Sequence, residues 1–214
     1  MSAGERRVKV AIVNYGVGNL RSIYRALEIA GASPVITREI VALERADAIV
    51  LPGVGAYVAA MRFINSIRDK FINILLEKPV LGICLGMQLL FEGSEEGGFV
   101  RGLGLLKGYV TRLPANVKLP HMGWNHVRII KEHSHLISGL PKKTFMYFAH
   151  SYAPPVNDSY TVAITEYGRP FPSIIESGNL FGTQFHPEKS GRHGRILLAN
   201  FVRLVREEHA KNTL

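Results

Sequence analysis

Residues 81–90 read LGICLGMQLL, and Cys84, the only cysteine of the chain, stands there in a Gly-x-Cys-x-Gly setting. A thiol is a nucleophile as its thiolate, a form favoured by a helix N-terminus and by a neighbouring imidazole. The apolar run before Cys84 reads as a strand and the run after it as a helix, and Gly82 and Gly86 leave room for a sharp turn between them. Cys84 is therefore read as a nucleophile at a strand-to-helix elbow. On this stretch alone a buried packing cysteine competes with that reading.

The proton chemistry such a thiol needs is offered by QFHPEKS, residues 184–190. His186 ends a β-type run, Pro187 keeps the following turn extended, and Glu188 lies two residues on, on the same side of an extended chain. Glu188 can then orient His186 and steady it when it takes a proton. Attack on an amide carbonyl also makes an oxyanion that needs N–H donors aimed at it. Pro52-Gly53-Val54-Gly55, after another strand, offers one such N–H, and Leu85, just after the cysteine, offers a second. The two glycines of that turn make a peptide flip inexpensive.

Positioning these groups requires strands that end on one rim. VKVAIVN (8–14), SPVITRE (33–39), ADAIVLPG (46–53) and VLGIC (80–84) read as strands, with helical spacing over 20–31 and 56–77 between them. Strands alternating with helices imply a parallel sheet covered on both faces. From about residue 104 short β-rich runs take over, with a hairpin signal at Ser177-Gly178-Asn179, and 194–210 reads as a closing amphipathic helix. The expected fold is α/β: a single open, mostly parallel, flavodoxin-like sheet with helices on both faces and antiparallel strands added in the C-terminal half, all in one domain, 1–214. Such sheets bind ligands beyond the carboxyl ends of their strands, where Asn14, Gly53, Cys84 and His186 all fall.

The 214 residues carry a net charge of +9 with 47% hydrophobic residues, a composition that fits a folded core and not a disordered chain. The basic residues are scattered, with no stripe interleaved with aromatics, so nucleic acid is not the expected partner. One cysteine excludes an intrachain disulfide framework and suits a reducing compartment. No apolar run approaches the roughly 18 residues of a membrane span, and the strand-like start leaves no room for a signal peptide, so a cytoplasmic location is expected. No His-Glu-x-x-His or paired cysteines suggest a metal.

GICLGMQ with the later HPE resembles the class I, or triad, glutamine amidotransferases, which use Cys, His and Glu to hydrolyse glutamine and release ammonia. NYGVGNLRS (14–22), PGVG (52–55), LFEGSEEGG (90–98), PHMGWN (120–125), YFAHSY (147–152) and HPEKS (186–190) narrow the resemblance to the glutaminase subunits of imidazole glycerol phosphate synthases. It spans essentially the whole chain. The resemblance implies that Cys84 forms a glutamyl thioester, His186 shuttles protons and Glu188 orients it. It implies further that Gln88 contacts glutamine, Glu96 pairs with its α-ammonium, and His150, Ser151 and Tyr152 line the amino-acid pocket. By the same resemblance no cofactor or metal is needed, and the partner is a (βα)8 cyclase subunit in a heterodimer. That cyclase takes the ammonia to make imidazole glycerol phosphate and AICAR in histidine biosynthesis. Asn14 and Lys189 would meet it, Trp124 and Tyr147 would line the ammonia exit, and the positive charge would complement an acidic partner face. Glutaminases of pyridoxal phosphate, purine or anthranilate synthesis share the triad, and a silent docking subunit would share the fold; the intact Cys84, His186 and Glu188 weigh against the last.

Overall fold

Val10, Ala11, Ile12 and Val13 are consecutive and all buried, yet they feed two different cores. Side chains alternate across a strand, so Val10 and Ile12 join one apolar cluster while Ala11 and Val13 join the other. A strand buried on both faces belongs to the middle of a sheet with helices above and below. The computed structural model describes residues 7–16, 20–53 and 55–211.

In the first half the chain runs β1 (Lys9–Val13), α1 (Arg21–Ile29), β2 (Ser33–Thr37), α2 (Ile40–Glu44), β3 (Ala48–Leu51), α3 (Tyr57–Asn65), α4 (Arg68–Glu77), β4 (Val80–Ile83) and α5 (Leu85–Gln88). Then follow β5 (Phe91–Ser94), β6 (Val100–Arg101), β7 (Leu106–Arg112), β8 (His121–Ile129), β9 (Lys143–His150), β10 (Tyr152–Ala153), β11 (Thr161–Tyr167), β12 (Arg169–Ser177), β13 (Leu180–Thr183) and α6 (Gly191–Lys211). A nine-stranded sheet has the order β2-β1-β3-β4-β13-β12-β11-β8-β9. Its pairs from β2 through to β13 are parallel, and those from β13 out to β9 are antiparallel. The first cluster lies under α1 and α6, with Leu27, Leu197, Leu198 and Phe201; the second lies under α2, α3 and α4, with Leu43, Ala60, Ile64, Phe71 and Leu75.

The α/β fold with an antiparallel extension is the one expected, and two details differ. The helix read over 56–77 is two helices. Ser66 and Ile67 close α3 with short bonds to Phe63 O and Ile64 O, and the Ser66 hydroxyl also donates to Phe63 O, which ends the regular ladder. In addition, β10, β7, β5 and β6 form a separate four-stranded sheet beside the main one. Among the described residues no helix is long and apolar enough to cross a membrane.

The antiparallel half curls. Although β9 is the far edge of the nine-stranded sheet, its Tyr147 carbonyl accepts from His186 N–H at 2.9 Å, just beyond the end of β13. Ser190 locks the return, accepting from Tyr147 N–H at 3.0 Å and donating its hydroxyl to His186 O at 2.6 Å.

At the rim, α5 packs so tightly on β3 that a Cβ on Gly86 would lie 1.9 Å from the Leu51 carbonyl oxygen. Backbone cannot yield as a flexible side chain can, and overpacking costs about 1–3 kcal/mol or more. Gly86→Ala is expected to lower the unfolding free energy by at least that amount, read in urea as a lower midpoint at unchanged m-value; a midpoint equal to wild type would show that the elbow tolerates a wider spacing.

Candidate active site

Cys84 follows β4 directly and begins α5, with φ 47° and ψ −106°. Among the described residues it is the only non-glycine with positive φ. Such a conformation costs on the order of 1–3 kcal/mol and persists where the surroundings impose it. Here Cys84 N–H is held by Thr183 O at 2.6 Å, and Gly82 and Gly86 admit the returning helix. Cys84 ends up only 5% exposed but lines a cavity, its sulfur having Ala149 O at 3.7 Å and Gln184 Nε2 donating to it from 3.6 Å.

His186 comes to the same point from β13, close enough for charge on the Cys84 sulfur to act on its ring. Its Nδ1 lies 2.8 Å from Glu188 Oε1, with both side chains almost wholly buried, so Nε2 is the nitrogen left to face the sulfur. Burial opposes charge on the imidazole, but negative charge at Cys84 and at Glu188 outweighs it and pushes His186 up to about 10. The other carboxylate oxygen, Oε2, is buried with no partner among the described residues, which leaves Glu188 turned wholly toward His186. A Cβ on Gly53 would lie 2.8 Å from Cys84 Cβ and 3.0 Å from His186 Cε1, so the loop after β3 rests directly on the pair.

The cavity of about 240 Å³ beside the sulfur is lined by Gly53, Gly55, Leu85, Gln88, Glu96 and the segment Ala149–Tyr152, with Pro120. Every nominated oxyanion and amino-acid-binding residue therefore meets Cys84 there except Val54, which lies outside the described residues. Glu96 Oε1 accepts from Tyr57 N–H at the start of α3 at 3.3 Å. Gln88 Nε2 donates to Tyr152 O at 2.7 Å and to Gln184 Oε1 at 3.1 Å. Larger clefts exist, one of about 810 Å³ bounded by 132–142, but they do not contain the thiol.

Trp124 and Tyr147 face each other across β8 and β9, with ring centroids 6.1 Å apart, and Lys189 Nζ lies 5.9 Å over the Tyr147 ring. Asn14 stands at the end of β1, where its side chain accepts from Gly16 N–H at 2.8 Å. Gln184 and Pro120 join the site from within the QFHPEKS and PHMGWN stretches, where residue type and spacing assign them no part. The alternation of Gln184 with His186 along one extended segment was the available signal for the first.

The chain matches the family described as glutamine amidotransferase class-I over residues 11–205. It is 48% identical to the imidazole glycerol phosphate synthase subunit HisH of Archaeoglobus fulgidus, over 92% of this chain and 99% of that one. To the HisH subunit of Moorella thermoacetica it is 46% identical, over 95% and 97% of the two chains. In fold it resembles a putative GMP synthase subunit from Thermoplasma acidophilum, with a TM-score of 0.75 at 19% identity over 99% of this chain and 100% of that one. PurLQS from Thermotoga maritima is similar too, with a TM-score of 0.73 at 23% identity over 93% and 99%. With a thiol elbow, an imidazole and a carboxylate gathered on one sheet rim, and with identity to curated relatives over nearly its full length, the chain belongs to the class I glutamine amidotransferases and, within them, to the HisH family.

Proposed function

We propose that this chain hydrolyses glutamine to glutamate and ammonia through a thioester on Cys84 and passes the ammonia to a (βα)8 cyclase subunit docked over the site. The observation that carries this is the shared 240 Å³ cavity, which Cys84 lines together with Gln88, Glu96 and Tyr152. Pockets for drug-sized ligands measure about 300–1,000 Å³, so this space suits one smaller molecule. Cys84 Sγ attacks the carboxamide carbon, forming the S–C bond. The oxyanion is met by Leu85 N–H, which as the first N–H of α5 has no intrahelical acceptor, and by a donor from the 53–55 loop. His186 protonates the amide nitrogen as the C–N bond breaks and ammonia leaves. It then takes a proton from water as that water attacks the thioester, and returns it to the sulfur as glutamate departs. Glu188 stabilises the imidazolium at each stage.

The outer face of β8 and β9 supports the docking half of the reading. Met122, Trp124 and Phe145 are 65%, 55% and 50% exposed there, beside Tyr147 and Lys189. Exposed aromatics and a methionine are the composition of an interface centre, and Ala149, next along β9, brings this face to the sulfur. Ammonia released at Cys84 would thus emerge under the partner and not into bulk water. The overall positive charge suits an acidic partner face.

In a glutaminase assay with the cyclase and its nucleotide ligand present, Cys84→Ser is expected to reduce turnover by at least about 1,000-fold. The wild-type chain alone should be slower than the complex by about 100- to 1,000-fold if the loop donor forms on docking; retained activity in Cys84→Ser would refute the thioester. Trp124→Ala should weaken the complex about 30-fold or more in a titration of one subunit with the other, as for a central interface aromatic. The His186 pKa stands at about 10, above the ordinary 6.5, so its contribution to stability is complete below about pH 6.5 and is lost as pH rises through about 10. The stability advantage of wild type over His186→Gln in urea should therefore be largest at acid pH and shrink on going alkaline; a difference that grows with pH would contradict the charged assignment.

A further inference from the structure

A directed chain of hydrogen bonds runs behind the pocket. Asn125 Nδ2 lies 3.2 Å from His121 Nε2, His121 Nδ1 lies 3.0 Å from His150 Nε2, and His150 Nδ1 lies 2.9 Å from Tyr152 O. The last acceptor is a carbonyl, so His150 must carry its proton on Nδ1 and accept at Nε2. His121 must then donate from Nδ1 and accept at Nε2, where Asn125 can only donate. Both end groups thus enforce one tautomer on both rings. Burial pushes His121 down to about 4 and His150 to about 3, which keeps the two rings neutral.

The far end of the chain matters because of where the Tyr152 peptide sits. Leu113 N–H donates to Ser151 O at 2.9 Å, which turns that carbonyl toward β7 of the small sheet. In a planar trans peptide the Tyr152 N–H then points the opposite way, toward the pocket that Ser151 and Tyr152 line. The Tyr152 carbonyl on the same side is occupied twice, by His150 Nδ1 and by Gln88 Nε2. What remains to a ligand at this wall is the N–H, a donor suited to an amino-acid carboxylate.

We propose that His121 is a positioning residue for glutamine: by donating to His150 it fixes the tautomer that pins the Tyr152 carbonyl, and so holds the Ser151–Tyr152 peptide with its N–H toward the substrate's amino-acid end. This rests on the glutaminase reading and names a residue outside the pocket lining. His121 is stacked between Phe148 and Tyr167, with ring centroids 4.8 and 4.0 Å away, so a purely packing role would be served equally by another aromatic ring.

The test uses the full chain with its cyclase and two variants. His121→Phe keeps the stack and removes the donor; His121→Asn places an amide N–H near the position of Nδ1. His121→Phe is expected to raise KM for glutamine about 2- to 10-fold, the worth of one neutral hydrogen bond, with kcat changed less than twofold. Alkylation of Cys84 by a glutamine-shaped chloroketone should slow by the same factor while alkylation by chloroacetamide, which lacks the amino-acid end, stays the same. His121→Asn should restore both glutamine-dependent values. Equal effects on the two reagents, or none on either, would overturn the positioning role. A wild-type chain that shows no preference for the chloroketone would overturn the glutamine reading itself. Should His121→Phe fail to fold, nitrogen-15 NMR of the wild-type histidines decides: two neutral Nδ1–H rings are expected, and an Nε2–H tautomer at His150 refutes the relay.

Discussion

The contact between His186 N–H and Tyr147 O holds two halves of the molecule in one site. The parallel strands deliver the elbow and the imidazole to their common carboxyl rim, and the pocket wall comes from β9, which sits at the far antiparallel edge. Only because the sheet curls until β9 meets the segment after β13 does Ala149 reach the sulfur and does His150–Tyr152 close over Gln88. Ser190 reinforces this junction from both sides, as acceptor for Tyr147 and donor to His186. A polar junction of this kind is strong where water is excluded, and His186 and Ser190 are both buried.

Behind the sulfur, buried polar groups are paired in sequence and not left to solvent. Gln184 donates to the sulfur and accepts from Gln88, Gln88 donates onward to Tyr152, and the two histidines complete the run to Asn125. Each member has its donors and acceptors set by its neighbours, so the run has one arrangement in which all are satisfied. The contrast is Glu188, whose Oε2 is buried without a described partner. That cost is consistent with a carboxylate kept for one task, holding His186 charged, because an additional donor on Oε2 would draw its negative charge away from the imidazole.

Much of the fold was legible because the parallel half obeys simple periodicities. VKVAIV, ADAIV and VLGI read as strands from their continuous apolar runs, and Gly31 marks the end of α1 with φ 94°. The break within 56–77 was not legible, since Ser66 acts through a bond to Phe63 O that apolar spacing does not register. β6 and β10, two residues each, are below the length at which alternation carries any signal. At the site, Cys84, His186 and Glu188 were nominated from residue type and spacing, and the pocket residues from resemblance. Gln184, 100 residues from Cys84, was signalled only by its alternation with His186, and the part of His121 depends on a contact 29 residues away that no local pattern encodes.

Gly53 shows how the thiol and the imidazole constrain even the loop that covers them. The space its Cβ would need is already occupied by Ile83 O at 2.7 Å, by Cys84 Cβ and by His186 Cε1, so the loop after β3 lies against the elbow and the imidazole together. A loop in such contact cannot shift by much without being felt at the pair, because packed interiors have few voids to absorb movement. Gly55, two residues on with φ 99°, has a backbone open to L residues only with strain, which gives this segment its freedom to turn. Contact at Gly53 and a positive φ at Gly55 are both met by residues without a Cβ, so no side chain intrudes on either flank of the loop where it meets the thiol and the imidazole.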